Sequence, residues 1–398
     1  MNRSLWGLAA VLSLLLAAGL GAVAQEPCMI TVQPGASIQT AINSAPEGAV
    51  ICLPEGEWTE YVTIEKSITL RGAGANKTTI RGKSLDGPVV RVRKPADMVE
   101  IQDLTLTGAQ GGKYGFGLIV LDTPVVRVSR CVVSANAIHG VVLLGSSQGI
   151  ISDSTIRDNP KNGVVIYDNA HALIIDSEVS RNGWSGVTVE KDAEADIASC
   201  TILGNGTGTG GADMGIVVVG NARATITACT ISDNLQSGIA VVNTSAATIT
   251  ACTILRNVIG VWLDGSGQAT IAGCDISGSR RSATGTAGDG IQLEESSRAT
   301  IRDCSLSENE RNGITLKDAP VAVVEGNDIF LNGNYGVALY ERPCFDKDGV
   351  FTGSVTGGRN TIPGPGEADG NQAGAGCPSA LGFLMTEEGG ELNRQATP

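Results

Sequence analysis

Two histidines, five methionines and few rings (four Trp, five Tyr, five Phe) are all that 398 residues provide. His139 and His171 fall at different points of the chain's internal repeat, so a His-based catalytic or metal centre has little to build on, and the shortage of His and Met speaks against copper handling. Basic residues are also in deficit: 28 Lys and Arg against 41 Asp and Glu leave a formal charge of -13. That balance excludes nucleic acid and anionic lipid as natural partners, and a polyanionic polymer would need a local basic patch or a bridging cation. Beyond the N-terminus no apolar run approaches the roughly 18 residues of a membrane span, so none is expected. Amphipathic helices are missing as well, because no apolar stripe recurs at a period of 3.6.

What the chain does have is repetition. A residue that is mostly Cys, Ser or Asn returns at Cys131, Ser154, Ser177, Cys200, Cys229, Cys252, Cys274, Cys304 and Asn327, a spacing of about 23 residues with two longer steps. Five places on stand Asn136, Asn159, Asn182, Asn205, Asn234, Asn257, Ser279, Asn309 and Asn332. A third column is unbroken: Gly140, Gly163, Gly186, Gly215, Gly238, Gly260, Gly290, Gly313 and Gly336. A period of this length marks a solenoid, in which each unit buries its apolar face only by stacking on its neighbours. The runs between these columns are short, β-branched and alternating, as in Ala247-Thr248-Ile249-Thr250, and read as strands. Three short strands per turn predict an all-β, right-handed, single-stranded parallel β-helix. Asn is expected at corners for its tolerance of left-handed backbone and for coil-to-coil amide hydrogen bonds, and Gly where positive φ or close approach is needed. The first and third residues after each Gly, such as Val261 and Leu263, should fill a dry aliphatic core.

Four segments follow. Residues 1–24 read as a cleavable signal peptide, with Arg3, an apolar stretch from Leu5 to Leu20, and Ala22-Val23-Ala24 before Gln25; the mature chain is expected outside the cytoplasm, secreted or periplasmic. Residues 25–100 form an N-terminal cap and the first coils, 101–341 the regular repeats, and 342–398 a C-terminal cap and tail. A monomer is expected.

Ten Cys in an exported chain would ordinarily indicate a disulfide framework. Cys200, Cys229, Cys252, Cys274 and Cys304 instead share one column in consecutive coils, with Cβ atoms about 4.8 Å apart, too far for a disulfide at roughly 3.8 Å. They are expected to be buried thiols interchangeable with Ser154 and Ser177. Cys28 with Cys52, and Cys344 with Cys377, lie outside this ladder and are expected to be disulfides.

The opening Ile30-Thr31-Val32-Gln33-Pro34-Gly35, followed by Ser37-Ile38-Gln39, Ala41-Ile42 and Ile68-Thr69-Leu70-Arg71-Gly72, resembles the start of secreted β-helix proteins of the pectin-lyase-like superfamily. That resemblance implies a short cap helix from Ser37 to Ser44, with Ser37 as N-cap. The Asn and Gly repeats look like those of NosD-type periplasmic proteins and of related carbohydrate-binding or sugar-hydrolysing β-helices. The superfamily spans lyases, hydrolases, epimerases, adhesins and scaffolds, so it implies fold more than activity. Polygalacturonase, pectinesterase and pectate lyase signatures are missing; Ile138-His139-Gly140 is the nearest fragment, and His139 reads as a corner residue.

One face is unusual. The outward positions two and four places after each Gly include Val142, Leu144, Val165, Tyr167, Val217, Val219, Ala240, Val242 and Trp262, an apolar strip that calls for a cover or a ligand. Insertions at 108–116, 204–214 and 279–289 enlarge one corner and should stand beside this strip as walls. Between the last two lie Trp262, Asp264 and Glu294, with Lys317 next in line. Asp264 and Glu294 share a column about 5 Å apart. Paired carboxylates beside an aromatic platform are what glycoside chemistry uses; the plainer reading is a solvated charge pair neutralised by Lys317, and a bound Ca²⁺ is a third. Three functions stay open: non-catalytic binding of a polysaccharide or cell-surface glycan with Trp262, Tyr167 and Lys317 as contacts; a polysaccharide lyase or hydrolase using Asp264 and Glu294; and a NosD-like periplasmic accessory protein.

Overall fold

The computed structural model describes residues 26–83, 86–122, 125–208, 212–282, 287–341, 344 and 351–394. The expected signal peptide, residues 1–24, lies outside the described residues. In the regular repeats each coil bends three times, and at each bend one residue adopts a left-handed backbone. Lys191, Ser199 and Gly204 do so in one coil, and Asn243, Ala251 and Arg256 in another. Between bends run three short strands that pair, coil upon coil, into three sheets.

The front sheet is formed by the strands that follow the Gly column, among them Val141–Leu144, Val164–Ile166, Val187–Lys191, Ile216–Gly220, Ser237–Val241, Ile259–Leu263, Ile291–Leu293 and Ile314–Leu316. A floor sheet holds strands such as His171–Ile175, Glu194–Ala198, Arg223–Thr227 and Ala246–Thr250, and a back sheet holds Thr201–Leu203, Thr230–Ser232 and Thr253–Leu255. Among the described residues they contain 13, 15 and 12 strands, and every pairing is parallel except that of Ser354–Gly358 with Gly390–Asn393 at the C-terminal end. Parallel register at every step, as in Ile239↔Val261↔Ile291↔Ile314, keeps inward residues above one another. The result is the expected parallel β-helix. Its core is a continuous column of Ile, Val, Leu and Ala, with Val261, Leu263, Ile291 and Leu293 fully buried.

The ladders behave as expected in one respect and differently in another. Asn136, Asn159, Asn182, Asn205, Asn234 and Asn257 pass amide hydrogen bonds from coil to coil, each Nδ2 donating to the next Oδ1 at 2.9–3.1 Å. The left-handed residue, however, is the one before each Asn: Ala135, Asp158, Arg181, Gly204, Asp233 and Arg256. The preceding residue makes the turn, leaving the Asn side chain directed inward to bond. Gly in the third column is likewise not needed for positive φ. A Cβ on Gly238 would lie 2.8 Å from the Gly260 carbonyl oxygen and 2.9 Å from Ile254 Cγ2, so close approach alone demands glycine there.

In the Cys column, the Cys131 and Ser154 N–H groups donate to Ser154 Oγ and Ser177 Oγ (3.1 Å each), and Cys200 N–H donates to Cys229 Sγ at 3.4 Å. Sulfur and hydroxyl therefore do one job. Cys131, Cys200, Cys229, Cys252, Cys274 and Cys304 are buried free thiols, and burial pushes the Cys131 thiol up to about 12. All six are closed to solvent, so a thiol reagent should find almost none in the native protein and six after denaturation without reductant. A count near zero after denaturation would show the column to be cross-linked.

Both ends are stoppered. The helix Ile38–Ser44 buries Ile38 and Ile42 over the first coil, and its N-cap Ser37 accepts from the Thr40 N–H at 3.1 Å. Cys28 is bonded to Cys52 in the same cap. At the other end Phe351, Leu381 and Leu384 close the core, Cys344 is bonded to Cys377, and Asn360 and Asn371 extend the two polar ladders by one coil. No helix among the described residues is long and apolar enough to cross a membrane.

Candidate functional site

The outward columns of the front sheet stand as the repeat spacing requires. Trp262 pairs with Gln292 in register, and the Glu294 N–H donates to the Leu263 carbonyl, which puts Asp264 and Glu294 in adjacent coils. The strip does not stay bare. Met214, at the end of the second insertion, packs with Val217 and Ala240, while Val219, Val242 and Trp262 lean on this small outer cluster. Ala240 is fully buried although its side chain points away from the core. The insertion thus supplies part of the cover that the apolar strip called for.

Polar side chains do the same beside the third insertion. Asp289 is fully buried, its carboxylate pairs with Arg311 at 3.1 Å, and its Oδ1 accepts from the Asn312 N–H and Nδ2 at 3.1 Å each. Burial holds the Asp289 carboxyl above the ordinary range, against the pull of Arg311. Asn312 also donates to Thr315 Oγ1 at 2.9 Å, and Thr315, although it points away from the core, is only 1% exposed.

Glu294 Oε1 accepts from Lys317 Nζ at 3.2 Å and from Gln292 Nε2 at 2.7 Å. Among the described residues no ion pair reaches Asp264. The two carboxylates thus have unlike surroundings, one neutralised by a lysine and one half-exposed. Among the described residues no three His, Cys, Asp or Glu side chains gather in a way that could hold a metal ion. Trp262 Nε1 and Gln292 Oε1, a donor and an acceptor in neighbouring coils, are buried without hydrogen-bond partners among the described residues. Tyr167 is half-buried, with Lys191 Nζ 4.2 Å from its ring centre and held there by Asp168 at 2.9 Å.

These strands, corners and ladders decide the family. A sequence profile for the right-handed beta helix region matches residues 90–213 and 185–346, more than half of the chain. The chain belongs to the right-handed beta-helix family. No curated protein sequence matches it. Solved structures of similar fold include the A-module of a mannuronan C-5 epimerase from Azotobacter vinelandii (TM-score 0.58, 18% identity, 82% of this chain and 94% of that one). Another is the catalytic domain of a GH87 α-1,3-glucanase in complex with nigerose (TM-score 0.65, 15% identity, 84% and 70%). A third is the catalytic unit of a GH87 α-1,3-glucanase from Streptomyces thermodiastaticus (TM-score 0.54, 15% identity, 86% and 70%). At such identities the likeness establishes the pectin-lyase-like fold and leaves the chemistry to the residues.

The β-helix also carries two features that the outward-column reading passed over. A shallow trough of about 560 Å³ runs along the floor sheet, lined by Thr225, Thr248, Thr270 and Thr300 above small inward alanines, with His171 and Asp196 3.3 Å apart at one end. Hydrogen bonding to Asp196 raises the His171 pKa. The recurring Ala-Thr-Ile tripeptides at 224, 247, 269 and 299 were its signal. The second feature is another polar ladder, one residue before the Gly column. His139 Nδ1 accepts from the Asn162 N–H, and Asn162 Oδ1 from the Ser185 N–H, both at 3.1 Å, while Asn312 Oδ1 accepts from the Tyr335 N–H at 3.0 Å. Its residue types vary too much to read as a column.

Proposed function

We propose that the protein is an exported, monomeric, non-catalytic binder of a polysaccharide or cell-surface glycan, which it holds along the walled front sheet. The observation that carries this reading is Trp262: an indole laid on an apolar outer cluster between two insertions, with its N–H and the neighbouring Gln292 oxygen both lacking partners. A sugar presents apolar C–H faces to the open part of the ring, and its hydroxyls both donate and accept, so they satisfy the two buried groups once a side chain turns to meet them. Two disulfides and a polysaccharide-directed set of structural neighbours fit an extracytoplasmic glycan partner. Glu294, tied to Lys317 and Gln292, serves in this reading as a fixed rim charge, with Tyr167 and Lys317 as further contacts.

Trp262→Ala is expected to weaken binding to a retained polysaccharide by at least about 1 kcal/mol, roughly fivefold, and Trp262→Phe to restore much of it. Affinity electrophoresis against a panel of soluble glycans measures this, and unchanged retention of the Ala variant would remove the strip from the binding site. Wild-type protein incubated with the same polymers should release neither new reducing ends nor unsaturated products. Turnover that disappears in Asp264→Asn or Glu294→Gln would replace binding by catalysis.

A further inference from the structure

Between the 108–116 and 204–214 insertions the enlarged corner carries a group of side chains that the outward-column pattern does not include. Phe116 stacks on His139 with ring centres 5.6 Å apart, and His139 meets Trp184 edge-on at 6.5 Å. Lys161 Nζ lies 4.4 Å from the centre of the Trp184 ring. The four residues come from four consecutive coils and so cover about 14 Å of the rod at about 4.8 Å per coil. Three of the chain's few aromatic and imidazole rings thus meet at one corner.

The charges here are unlike those elsewhere on the front sheet. Lys191 is held by Asp168 and Lys317 by Glu294. Lys161 has no carboxylate partner among the described residues, in a chain with 41 acidic and 28 basic residues. Its ammonium is placed by the ring face below it, an attraction that leaves its outer hydrogen-bonding positions unused. His139 adds a second donor. Because Nδ1 accepts from the Asn162 backbone, Nε2 carries the ring proton. Burial, then the charge of Lys161, holds the His139 pKa down at about 4, so the ring stays neutral with that proton in place near pH 7. No protein acceptor for Nε2–H is present among the described residues. Two donors beside an indole, one of them an uncompensated cation, form a receptor for an anionic group carried on a ring.

We infer that this corner is a subsite for an anionic sugar, with Lys161 Nζ and His139 Nε2–H binding its carboxylate or sulfate and Trp184 packing against the ring. The inference rests on the glycan-binding reading and adds the charge of the ligand. It also meets the difficulty of the overall charge: a short-range pair of donors acts within a Debye length of about 8 Å, where the net charge of the rod matters less than the groups in contact.

The test compares four probes by affinity electrophoresis and by titration at low and high salt: polygalacturonate, its fully methyl-esterified form, dextran sulfate and unmodified dextran. The wild type should hold polygalacturonate or dextran sulfate at least tenfold more tightly than the matching uncharged polymer, with a preference that shrinks as salt rises; which anion wins names the group. Lys161→Met, which keeps the stem on the indole and removes the charge, should abolish that preference while leaving the thermal midpoint and the Trp262-dependent binding unchanged. Trp184→Ala should weaken charged and esterified polymers alike. If the wild type binds only uncharged polymers, or if Lys161→Met keeps the full preference, the anionic subsite is wrong while glycan binding stands. Retention of no polymer at all would overturn both.

Discussion

Leu263→Ala should lower the stability of the protein by about 2–5 kcal/mol, read as a shift of the urea midpoint followed by circular dichroism. Leu263 is fully buried and stacked between Val241 and Leu293 in neighbouring coils, so truncation leaves a cavity that cannot close without moving a strand in register with both. The matched control is Thr248→Ala, an exposed position on the floor sheet, which should change the midpoint little. Thr315 does not serve as that control despite its outward direction, because its hydroxyl accepts from Asn312 and it is shielded from water. Equal effects at Leu263 and Thr248 would mean that inside and outside have been exchanged.

Asn205→Ala is expected to cost about 3–5 kcal/mol, although it deletes only a small polar group. Asn205 Oδ1 accepts from the Asn182 N–H at 3.1 Å and Asn182 Nδ2 at 3.0 Å, and its own Nδ2 donates to Val179 O at 3.1 Å and Asn234 Oδ1 at 3.0 Å. Alanine would leave several of these groups buried and unpaired, and each such loss costs about 1–3 kcal/mol. One position of the same column should behave in the opposite way. Ser279 Oγ is buried without a partner, so Ser279→Ala should be neutral or slightly stabilising, its backbone N–H still donating to Asn309 Oδ1 at 3.1 Å. Thermal midpoints of the two variants measured side by side decide the matter; similar losses at both would show that volume, rather than amide bonding, matters in this column.

The coil, the inward residues and the thiol column were legible because each depends on spacing alone, and stacking forces spacing to be regular. The bend chemistry was half legible. Asn and Gly announced the corners, yet the left-handed residues are as unlike as Ala135, Arg181 and Leu331, since many side chains that are not branched at Cβ and point into water can occupy them. The candidate site was legible on the strand and illegible at the corner. Trp262, Asp264 and Glu294 occupy countable positions, whereas the packing of Met214 on Ala240, the burial of Thr315, and the meeting of His139, Lys161 and Trp184 depend on how loops of unequal length lie down. Insertions break the very periodicity that made the rest readable.

The missing amide at Ser279 also makes a seam. Asn257 hands no side-chain bond onward there, and the coil from Cys274 to Cys304 is seven residues longer than the ordinary 23-residue repeat. A stack whose stability is the sum of nearest-neighbour contacts parts where one contact is thinnest. Strand pairing and core continue across this seam, as in Trp262↔Gln292 and Thr270↔Thr300, so a pull on the tips, or a nick in the 279–289 insertion, is expected only to part the rod there first. The third insertion begins at that joint, so a ligand spanning it would act as a splint.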